Sequence, residues 1–253
     1  PELAAAASAG ATAAGAVVTD LGLSTTPQGH FAVYAAYRGL PRTEADYYAR
    51  LARGYARLCR SLQLEPSASD DKSAIFVDCA NGVGAPKLAR LLDAAREAGA
   101  PLPVELRNAN SGGGLNEDVG ADFVQKERAL PKHGAFASLP ANAKCVSVDG
   151  DADRLVFLYA ASPSDAPALL DGDKIAALSA RHLGGLLRAA LGDQPSATVG
   201  VVQTAYANGA STRYIKDNLG VTVAVAKTGV KHLHPAAEEF DVGIYFEANG
   251  HGT

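Results

Sequence analysis

The chain has 253 residues, of which 47% are hydrophobic, with a formal net charge of −4 and three cysteines. This length suits about two globular domains. No apolar run is long enough to span a bilayer, and the acidic charge balance does not favour nucleic acid as a partner. Cys59, Cys79 and Cys145 are isolated and lack CxxC spacing. They indicate reduced core thiols of a cytoplasmic protein, rather than a disulfide framework or a zinc site.

The first forty residues combine an alanine-rich stretch with a short apolar pair. Ala4–Ala16 is predicted to be the end of a helix whose beginning is missing, which makes the chain an internal fragment. Val17-Val18 is predicted to be a strand that leads into a loop. His30–Tyr37 is predicted to be a short helix.

A longer helix is predicted next. Thr43 or Asp46 would cap its start, and the apolar spacing continues to about Leu62. The residues expected on its buried face are Tyr48, Leu51, Tyr55 and Leu58. The polar segment Pro66–Asp71 is predicted to be a loop or linker.

From residue 74 onwards, strand-like and helix-like segments alternate. The predicted strands are Ala74–Asp78, Val104–Arg107, Lys144–Val148, Leu155–Tyr159, Thr198–Gln203, Val221–Ala226 and Val242–Phe246. The predicted helices are Ala85–Ala98, Asp173–Leu191, Ser211–Leu219 and Pro235–Phe240. This alternation favours α/β layers with largely parallel pairing, in which ligands gather at the carboxyl ends of strands. Three polar loops follow strands in this way: Asp149–Arg154, Lys227–His234 and Glu247–Thr253.

The acidic loop carries the strongest functional signal. Asp149, Asp151 and Asp153 occupy alternate positions after a β-prone segment, and extended backbone would aim all three at one point. Three converging carboxylates repel one another unless a hard divalent cation neutralises them. The spacing therefore predicts a metal site, with Mg²⁺ as the expected ion and Arg154 beside it to meet an anionic group.

Three other kinds of loop also begin with closely spaced acidic residues. An EF-hand needs Gly at its sixth position and Glu at its twelfth, where the chain has Arg154 and Ala160. A haloacid-dehalogenase phosphatase loop usually has Thr or Val where Asp153 stands. A solvated acidic turn stays open from the residues alone, since Asp-Gly favours turns.

The loop after the last strand suits a sugar. Glu247, Asn249 and His251 alternate, so their side chains are expected to share one face and offer both donors and acceptors. Gly250 and Gly252 would let the backbone approach a ligand closely. An ordinary polar turn is the open alternative.

Two further loops have a basic or glycine-rich character. Lys227–His234 contains two lysines and two histidines, which would attract a phosphate group, although a surface basic loop has the same composition. Asn81–Gly84 lacks the third glycine of a dinucleotide fingerprint, because Lys87 stands there. It is predicted to be a structural turn between strand and helix.

Together these loops resemble the α-D-phosphohexomutase superfamily. The matching segments, in the order of that family, are Asp20–Gln28, Val77–Gly84, Leu115–Val124, Asp149–Arg154, Asp171–Lys174, Val201–Tyr214, Lys227–His234 and Tyr245–Thr253. Asn249 stands where glucose and mannose mutases usually carry Ser. With Asn249 at this position and the segment TGVKHLH, the chain most resembles the branch of the superfamily that acts on N-acetylglucosamine phosphates.

The resemblance implies consecutive β/α mixed-sheet domains of the phosphohexomutase type around one cleft. Residues 1–42 would end the first domain, 43–160 would form the second with the metal loop, and 161–253 the third with the sugar loop. The fourth domain would be absent. No serine lies in a Thr-Ala-Ser-His-Asn-Pro loop, so the expected phosphoserine is missing and the chain alone is expected to be inactive.

The resemblance also implies an activity, which is the interconversion of N-acetylglucosamine 6-phosphate and 1-phosphate through a 1,6-bisphosphate, on the route to UDP-N-acetylglucosamine. Mg²⁺ would be held by the positions of the three aspartates, Arg154 would stabilise the transferred group, and His251 would move a proton. The implied substrate-binding residues are Thr228, Gly229, Lys231, Glu247, Ala248 and Asn249. A glucose or mannose mutase and a non-catalytic sugar-phosphate binding protein are the alternatives, and the oligomeric state, monomer or homodimer, stays open.

Overall fold

The computed structural model of the chain describes residues 2–63, 74–110, 112–162, 165–192 and 197–253. Its α-helices are α1 (Glu2–Ala13), α2 (Thr26–Tyr37), α3 (Glu44–Ser61), α4 (Gly84–Glu97), α5 (Gly120–Glu127), α6 (Gly172–Leu191), α7 (Gly209–Arg213) and α8 (Val230–Ala237). Its strands are β1 (Ile75–Asp78), β2 (Val104–Arg107), β3 (Cys145–Val148), β4 (Leu155–Tyr159), β5 (Ala168–Leu170), β6 (Val199–Thr204), β7 (Thr222–Ala226) and β8 (Val242–Tyr245).

The first sheet has the strand order β2-β1-β3-β4-β5. β1 runs parallel to β2 and β3, whereas β4 is antiparallel to both β3 and β5. The prediction of largely parallel pairing is therefore wrong for one half of this sheet. The reason is that Asp149–Arg154 is a tight turn which sends the chain straight back beside β3, so that no crossover helix separates β3 from β4.

Helices cover both faces of the first sheet. Cys145 and Val146 are consecutive in β3, and their side chains point to opposite faces. Cys145 packs in a cluster with α5 residues such as Val124, while Val146 packs in a second cluster with Ala85 of α4. The core of this unit thus lies on both sides of β1 and β3, directly beneath the acidic loop.

The second sheet is fully parallel, with the order β7-β6-β8. Val201 faces α6 and Ile215 on one side, and Val202 faces Leu233 of α8 on the other. The predicted loops after β7 and β8 therefore lie at the carboxyl edge of this sheet, as expected for a parallel α/β layer.

Most predicted elements are present, and the errors have identifiable causes. Val17-Val18 is not a strand, and Val17 is 96% exposed. The short strand β5 was missed. Residues 211–219 are not one regular α-helix, because a π-helical turn at Tyr214–Asn218 follows α7. α8 begins five residues before Pro235 because Leu233 is fully buried against β6. The predicted loop at Pro66–Asp71 lies outside the described residues.

The buried face of α3 differs from the prediction. Its buried residues are Tyr48, Ala52, Ala56 and Cys59, whereas Leu51 and Leu58 are exposed. α3 packs against α4, and small side chains let two helices approach closely. The start of α3 is as predicted, since Thr43 forms a capping box with Asp46.

All three cysteines are buried and unpaired, which confirms core thiols. Burial raises the pKa of Cys79 to about 12 and that of Cys145 to about 11, so both thiols are held in the neutral, unreactive form. None of the helices in the described ranges has the length and apolar character that a membrane span requires.

Candidate functional site

The three carboxylates of the acidic loop come together after β3. One ligand oxygen from each of Asp149, Asp151 and Asp153 lies within 4.8 Å of the other two. Asp149 is buried, Asp151 is exposed, and Asp153 is intermediate between them. The predicted convergence of the three side chains is therefore confirmed.

The reason given for that convergence is wrong, since the backbone here is a turn and not an extended strand. The amide of Ala152 donates to the carbonyl of Asp149 at 3.1 Å, and Ala152 has a φ of +56°. The Asp149 side chain closes the turn by accepting from the amides of Asp153 and Arg154, both at 3.1 Å. The turn gathers the carboxylates more tightly than alternate positions on a strand would.

Two glycines allow the acidic loop to sit directly on the turn after β1. The amide of Val83 donates to the carbonyl of Gly150 at 3.0 Å. A Cβ at Gly82 would lie 2.3 Å from that same oxygen, so only glycine fits there. This contact confirms that Asn81–Gly84 is a structural turn.

Arg154 lies among the carboxylates rather than apart from them. Its Nε is 2.8 Å from Asp149 Oδ2 and 3.8 Å from Asp153, and its Nη1 is 3.2 Å from Asp122 Oδ1. Asp122 also pairs with Lys126 at 2.6 Å. One guanidinium cannot balance the three aspartates of the loop, so the loop keeps a net negative charge.

The charges of this loop favour a bound cation. Burial, and then the charge of Asp149, raise the pKa of Asp153, which reports like-charge repulsion inside the cluster. Oxygen ligands of Mg²⁺ at about 2.1 Å in octahedral geometry lie roughly 3 to 4 Å apart. A set of carboxylate oxygens within 4.8 Å needs only a small contraction to reach that geometry. The residues present fit Mg²⁺.

The loop after β8 is a tight turn in which Phe246 and Gly252 form an antiparallel bridge. The amide of Glu247 donates to the carbonyl of His251 at 2.8 Å, and Asn249 Oδ1 accepts from the amide of His251 at 3.1 Å. Glu247 is buried, and its Oε1 accepts from the amide of Gly229 at 2.9 Å. The loop is thus a turn and not the extended segment that the prediction assumed.

The acidic loop and the loop after β8 touch. The amide of Leu155 donates to the carbonyl of Gly250 at 3.1 Å, and His251 Nδ1 lies 3.7 Å from Asp153 Oδ2. A Cβ at Gly250 would lie 2.1 Å from the carbonyl oxygen of Leu155. The predicted metal loop and the predicted sugar loop therefore form one continuous surface.

The segment after β7 completes this surface. Thr228 and Lys231 are exposed, and Gly229 joins the segment to Glu247 through its amide. Ala248 contributes its carbonyl, which accepts from the amide of Gly172 at the start of α6 at 3.3 Å. The cationic side chain of Lys231 and the hydroxyl of Thr228, which could bind an anion, thus belong to the segment that is joined to the Glu247 carboxylate.

Gly172→Ala is expected to lower the free energy of unfolding by about 2 to 3 kcal/mol, because it overpacks this junction. A Cβ at Gly172 would lie 1.8 Å from the carbonyl oxygen of Glu247. Gly185→Ala in the same helix meets nothing within 4 Å and should be neutral or stabilising by up to about 1 kcal/mol. Urea denaturation of both variants measures the difference, and equal stabilities would contradict the close packing of α6 on the sugar loop.

Two contacts of the site were missed by the sequence analysis. Thr26, at the start of α2, donates from Oγ1 to Asp151 Oδ2 at 2.5 Å. Asp122, in α5, pairs with Arg154. Both residues lie in segments quoted for the family resemblance, but no local pattern links residue 26 to residue 151.

Comparisons with known proteins agree with this architecture. Two family models match, described as phosphoacetylglucosamine mutase AMG1, domain II, over residues 40–156 and domain III over residues 171–253. A phosphoacetylglucosamine mutase of Arabidopsis thaliana is 50% identical over 246 residues, which are 94% of this chain and 42% of that relative. The chain thus spans less than half of the length of this relative.

Solved structures give the same result. The N-acetylphosphoglucosamine mutase of Aspergillus fumigatus, in complex with N-acetylglucosamine 6-phosphate and magnesium, aligns with a TM-score of 0.81 at 40% identity. The alignment covers 94% of this chain and 47% of that one. A variant of the same enzyme in complex with glucose 1,6-bisphosphate aligns with a TM-score of 0.84, again at 40% identity, over 97% of this chain and 44% of that one. The predicted phosphohexomutase-type fold is confirmed, and the chain belongs to the phosphoacetylglucosamine mutase family.

Proposed function

We propose that the protein carrying this sequence interconverts N-acetylglucosamine 6-phosphate and N-acetylglucosamine 1-phosphate, in the cytoplasm, on the route to UDP-N-acetylglucosamine. The observation that carries this proposal is the contact between the acidic loop and the sugar loop. Leu155 bonds Gly250 at 3.1 Å, and Asp153 lies 3.7 Å from His251. A group bound by the three aspartates would therefore lie next to a sugar phosphate bound by the neighbouring loop.

The acidic loop is the proposed magnesium site, with Asp149, Asp151 and Asp153 as ligands. When bound there, Mg²⁺ supplies Lewis-acid stabilisation of charge on a transferring phosphoryl group. Contacts within the chain fix the geometry of this loop before any cation binds. Asp149 accepts two backbone bonds that close the turn, and Arg154 offsets part of the charge.

Arg154 and His251 are the proposed residues beside the transferring group. Arg154 engages carboxylates through Nε and Nη1, which leaves its Nη2 as the donor for a phosphoryl oxygen. His251 belongs to the sugar loop, and its Nδ1 lies 3.7 Å from Asp153 Oδ2, so its imidazole would be placed to take or give the proton of a sugar hydroxyl.

The sugar phosphate is proposed to lie across the loops after β7 and β8. Glu247 and Asn249 would bind sugar hydroxyls and the acetamido group, with Ala248 between them. Lys231 and Thr228 would contact a phosphate group, since both are exposed beside Gly229. In the mechanism implied by the family, the substrate binds in two orientations, which needs donors and acceptors on both sides of the ring.

Phosphoryl transfer is proposed to use a phosphoserine and a 1,6-bisphosphate intermediate. No segment of these 253 residues resembles the serine loop of the family. The chain alone is therefore expected to bind Mg²⁺ weakly and to show no turnover.

A coupled assay on the full-length gene product tests the proposal. N-acetylglucosamine 6-phosphate, Mg²⁺ and a trace of the bisphosphate are supplied, and the 1-phosphate is detected through its conversion to UDP-N-acetylglucosamine. A rate well above that with glucose 6-phosphate is expected. Faster turnover of glucose 6-phosphate would reassign the substrate, and saturable binding of hexose phosphates without turnover of any would overturn the mutase assignment.

Asn249→Ser is expected to reduce the preference for N-acetylglucosamine 6-phosphate over glucose 6-phosphate by about tenfold, the size of one hydrogen bond in kcat/KM. Serine can keep the turn, because its hydroxyl can accept from the amide of His251 as Asn249 Oδ1 does at 3.1 Å. The substitution therefore removes chiefly the amide nitrogen that would face the substrate. Steady-state kinetics with both substrates measures the ratio, and an unchanged ratio would place recognition of the acetamido group elsewhere.

A further inference from the structure

The start of helix α2 abuts the acidic loop. Thr25 is the N-cap of this helix and forms a capping box with Gln28, so Thr26 is its first helical residue. The side chain of Thr26 is not needed to cap the helix, because that of Thr25 already does so. Its hydroxyl is therefore available for another partner.

That partner is Asp151, 125 residues away in the sequence. Thr26 Oγ1 donates to Asp151 Oδ2 at 2.5 Å, and the amide of Thr26 donates to the Asp151 carbonyl at 3.1 Å. One residue thus holds both the side chain and the backbone of Asp151. The positive end of the helix dipole also favours a negative charge at this position.

Asp151 has particular need of such support. It is the exposed member of the three aspartates, whereas Asp149 is fixed by two backbone amides and Arg154. An exposed aspartate samples several rotamers in water. A hydrogen bond from the stiff, β-branched Thr26 selects one of them.

Helix α2, which carries Thr26, is itself held in place by contacts with α3. Gln28, which follows Thr26 and Pro27 in α2, donates to Tyr48 at 3.0 Å and to Glu44 at 3.4 Å. Lys87 of α4 pairs with Glu44 at 2.8 Å. α2 is thereby fastened to α3, and α3 to α4. Thr26 presents its hydroxyl from a fixed position.

We infer that Thr26 is a positioning residue of the metal site, which holds Asp151 in the orientation that binds the cation. This inference rests on the proposed function, in which the three aspartates bind Mg²⁺. Partners that orient metal ligands typically contribute 10- to 100-fold to metal affinity.

Binding of Mn²⁺ to the 253-residue chain, followed by electron paramagnetic resonance with Mg²⁺ as competitor, tests the inference. Thr26→Val keeps the shape of the side chain without its hydroxyl and should weaken Mn²⁺ binding about tenfold. Thr26→Ser keeps the hydroxyl and should restore the affinity to within about twofold. In the full-length protein, Thr26→Val should raise the Mg²⁺ concentration needed for half-maximal activity more than it lowers kcat.

Thr198→Val is the matched control. It removes a threonine–aspartate bond of the same kind, from Thr198 Oγ1 to Asp241 at 2.8 Å, directly before β6 and away from α2 and α3. It should lower the melting temperature and leave Mn²⁺ affinity unchanged.

The possible results distinguish a failure of the positioning role from a failure of the proposed metal site. Wild-type affinity in Thr26→Val, equal losses in Thr26→Val and Thr26→Ser, or an equal loss in Thr198→Val would each overturn the positioning role. Failure of the unaltered chain to bind Mn²⁺ would instead remove the proposed metal site, and the role of Thr26 with it.

Discussion

Replacing Asp151 with alanine in the full-length protein is expected to lower kcat for N-acetylglucosamine 6-phosphate by about 10³-fold. A metal ion contributes several kcal/mol of charge stabilisation to a transition state, and about 1.4 kcal/mol corresponds to tenfold in rate. Of the three aspartates, Asp151 is the most informative to replace. It is exposed, and its side chain does not close the turn as that of Asp149 does. Loss of activity would therefore report loss of the cation rather than of the loop.

Three measurements belong to this experiment. Mn²⁺ titration should show lost binding, circular dichroism should show an unchanged fold, and the coupled assay gives kcat. Asp93→Ala is the control, since Asp93 is an exposed residue of α4 that pairs with Arg96 at 2.6 Å. It should have near-normal kinetics. Full activity of Asp151→Ala together with lost metal binding would refute metal-dependent transfer at this loop.

Asp78→Asn is expected to lower the free energy of unfolding by about 4 kcal/mol. It leaves a buried donor unpaired, which costs about 1 to 3 kcal/mol, and it removes the charge that strengthens the remaining hydrogen bonds. Asp78 is fully buried at the end of β1 and accepts four hydrogen bonds. The donors are the amide of Ala80 at 3.1 Å, Asn108 Nδ2 at 2.8 Å, the amide of Gly120 at 2.7 Å and Ser147 Oγ at 2.8 Å. An asparagine turns one acceptor atom into a donor. If the Ser147 hydroxyl rotates to accept from that nitrogen, the amide of Gly120 is still left without a partner.

This carboxylate also matters for the site. Ser147 precedes Asp149 by two residues on β3, and Gly120 begins the helix that carries Asp122, the partner of Arg154. Asp78→Asn should therefore weaken Mn²⁺ binding in addition to lowering stability. Urea denaturation measures the stability, with Asp93→Asn as the exposed control that should change little. A loss below about 1 kcal/mol would show that the four donors find other partners.

Local rules explain what could be predicted. The bounds of β2 and β4 agree with the structure, and α3 begins at its predicted cap, because side-chain periodicity and helix capping act within a few residues. The same local rules failed to predict which face of α3 is buried, because that depends on packing against another helix. Leu51 and Leu58 fit a helical apolar face but are exposed, since the close packing of α3 on α4 buries alanines instead.

In the candidate site, too, some features could be predicted from the local sequence and others could not. The acidic residues and their convergence could be predicted, because three like charges at this spacing point to a cation. The path of the backbone between them could not. Whether Asp149–Asp153 is extended or turned depends on the hydrogen bonds to the Asp149 side chain, and on the packing of Gly150 against Gly82.

By itself, the sequence determined which residues have the chemistry and where the chain changes direction. Three aspartates follow one strand, a glutamate and an asparagine follow another, and turns and caps mark the boundaries. These features depend on neighbours a few residues apart. Only the tertiary structure decided which loops meet. Thr26 reaches Asp151, and Gly250 reaches Leu155, because packed sheets and helices bring together segments separated by roughly a hundred residues. No local periodicity encodes such contacts, since they depend on how whole elements fill space.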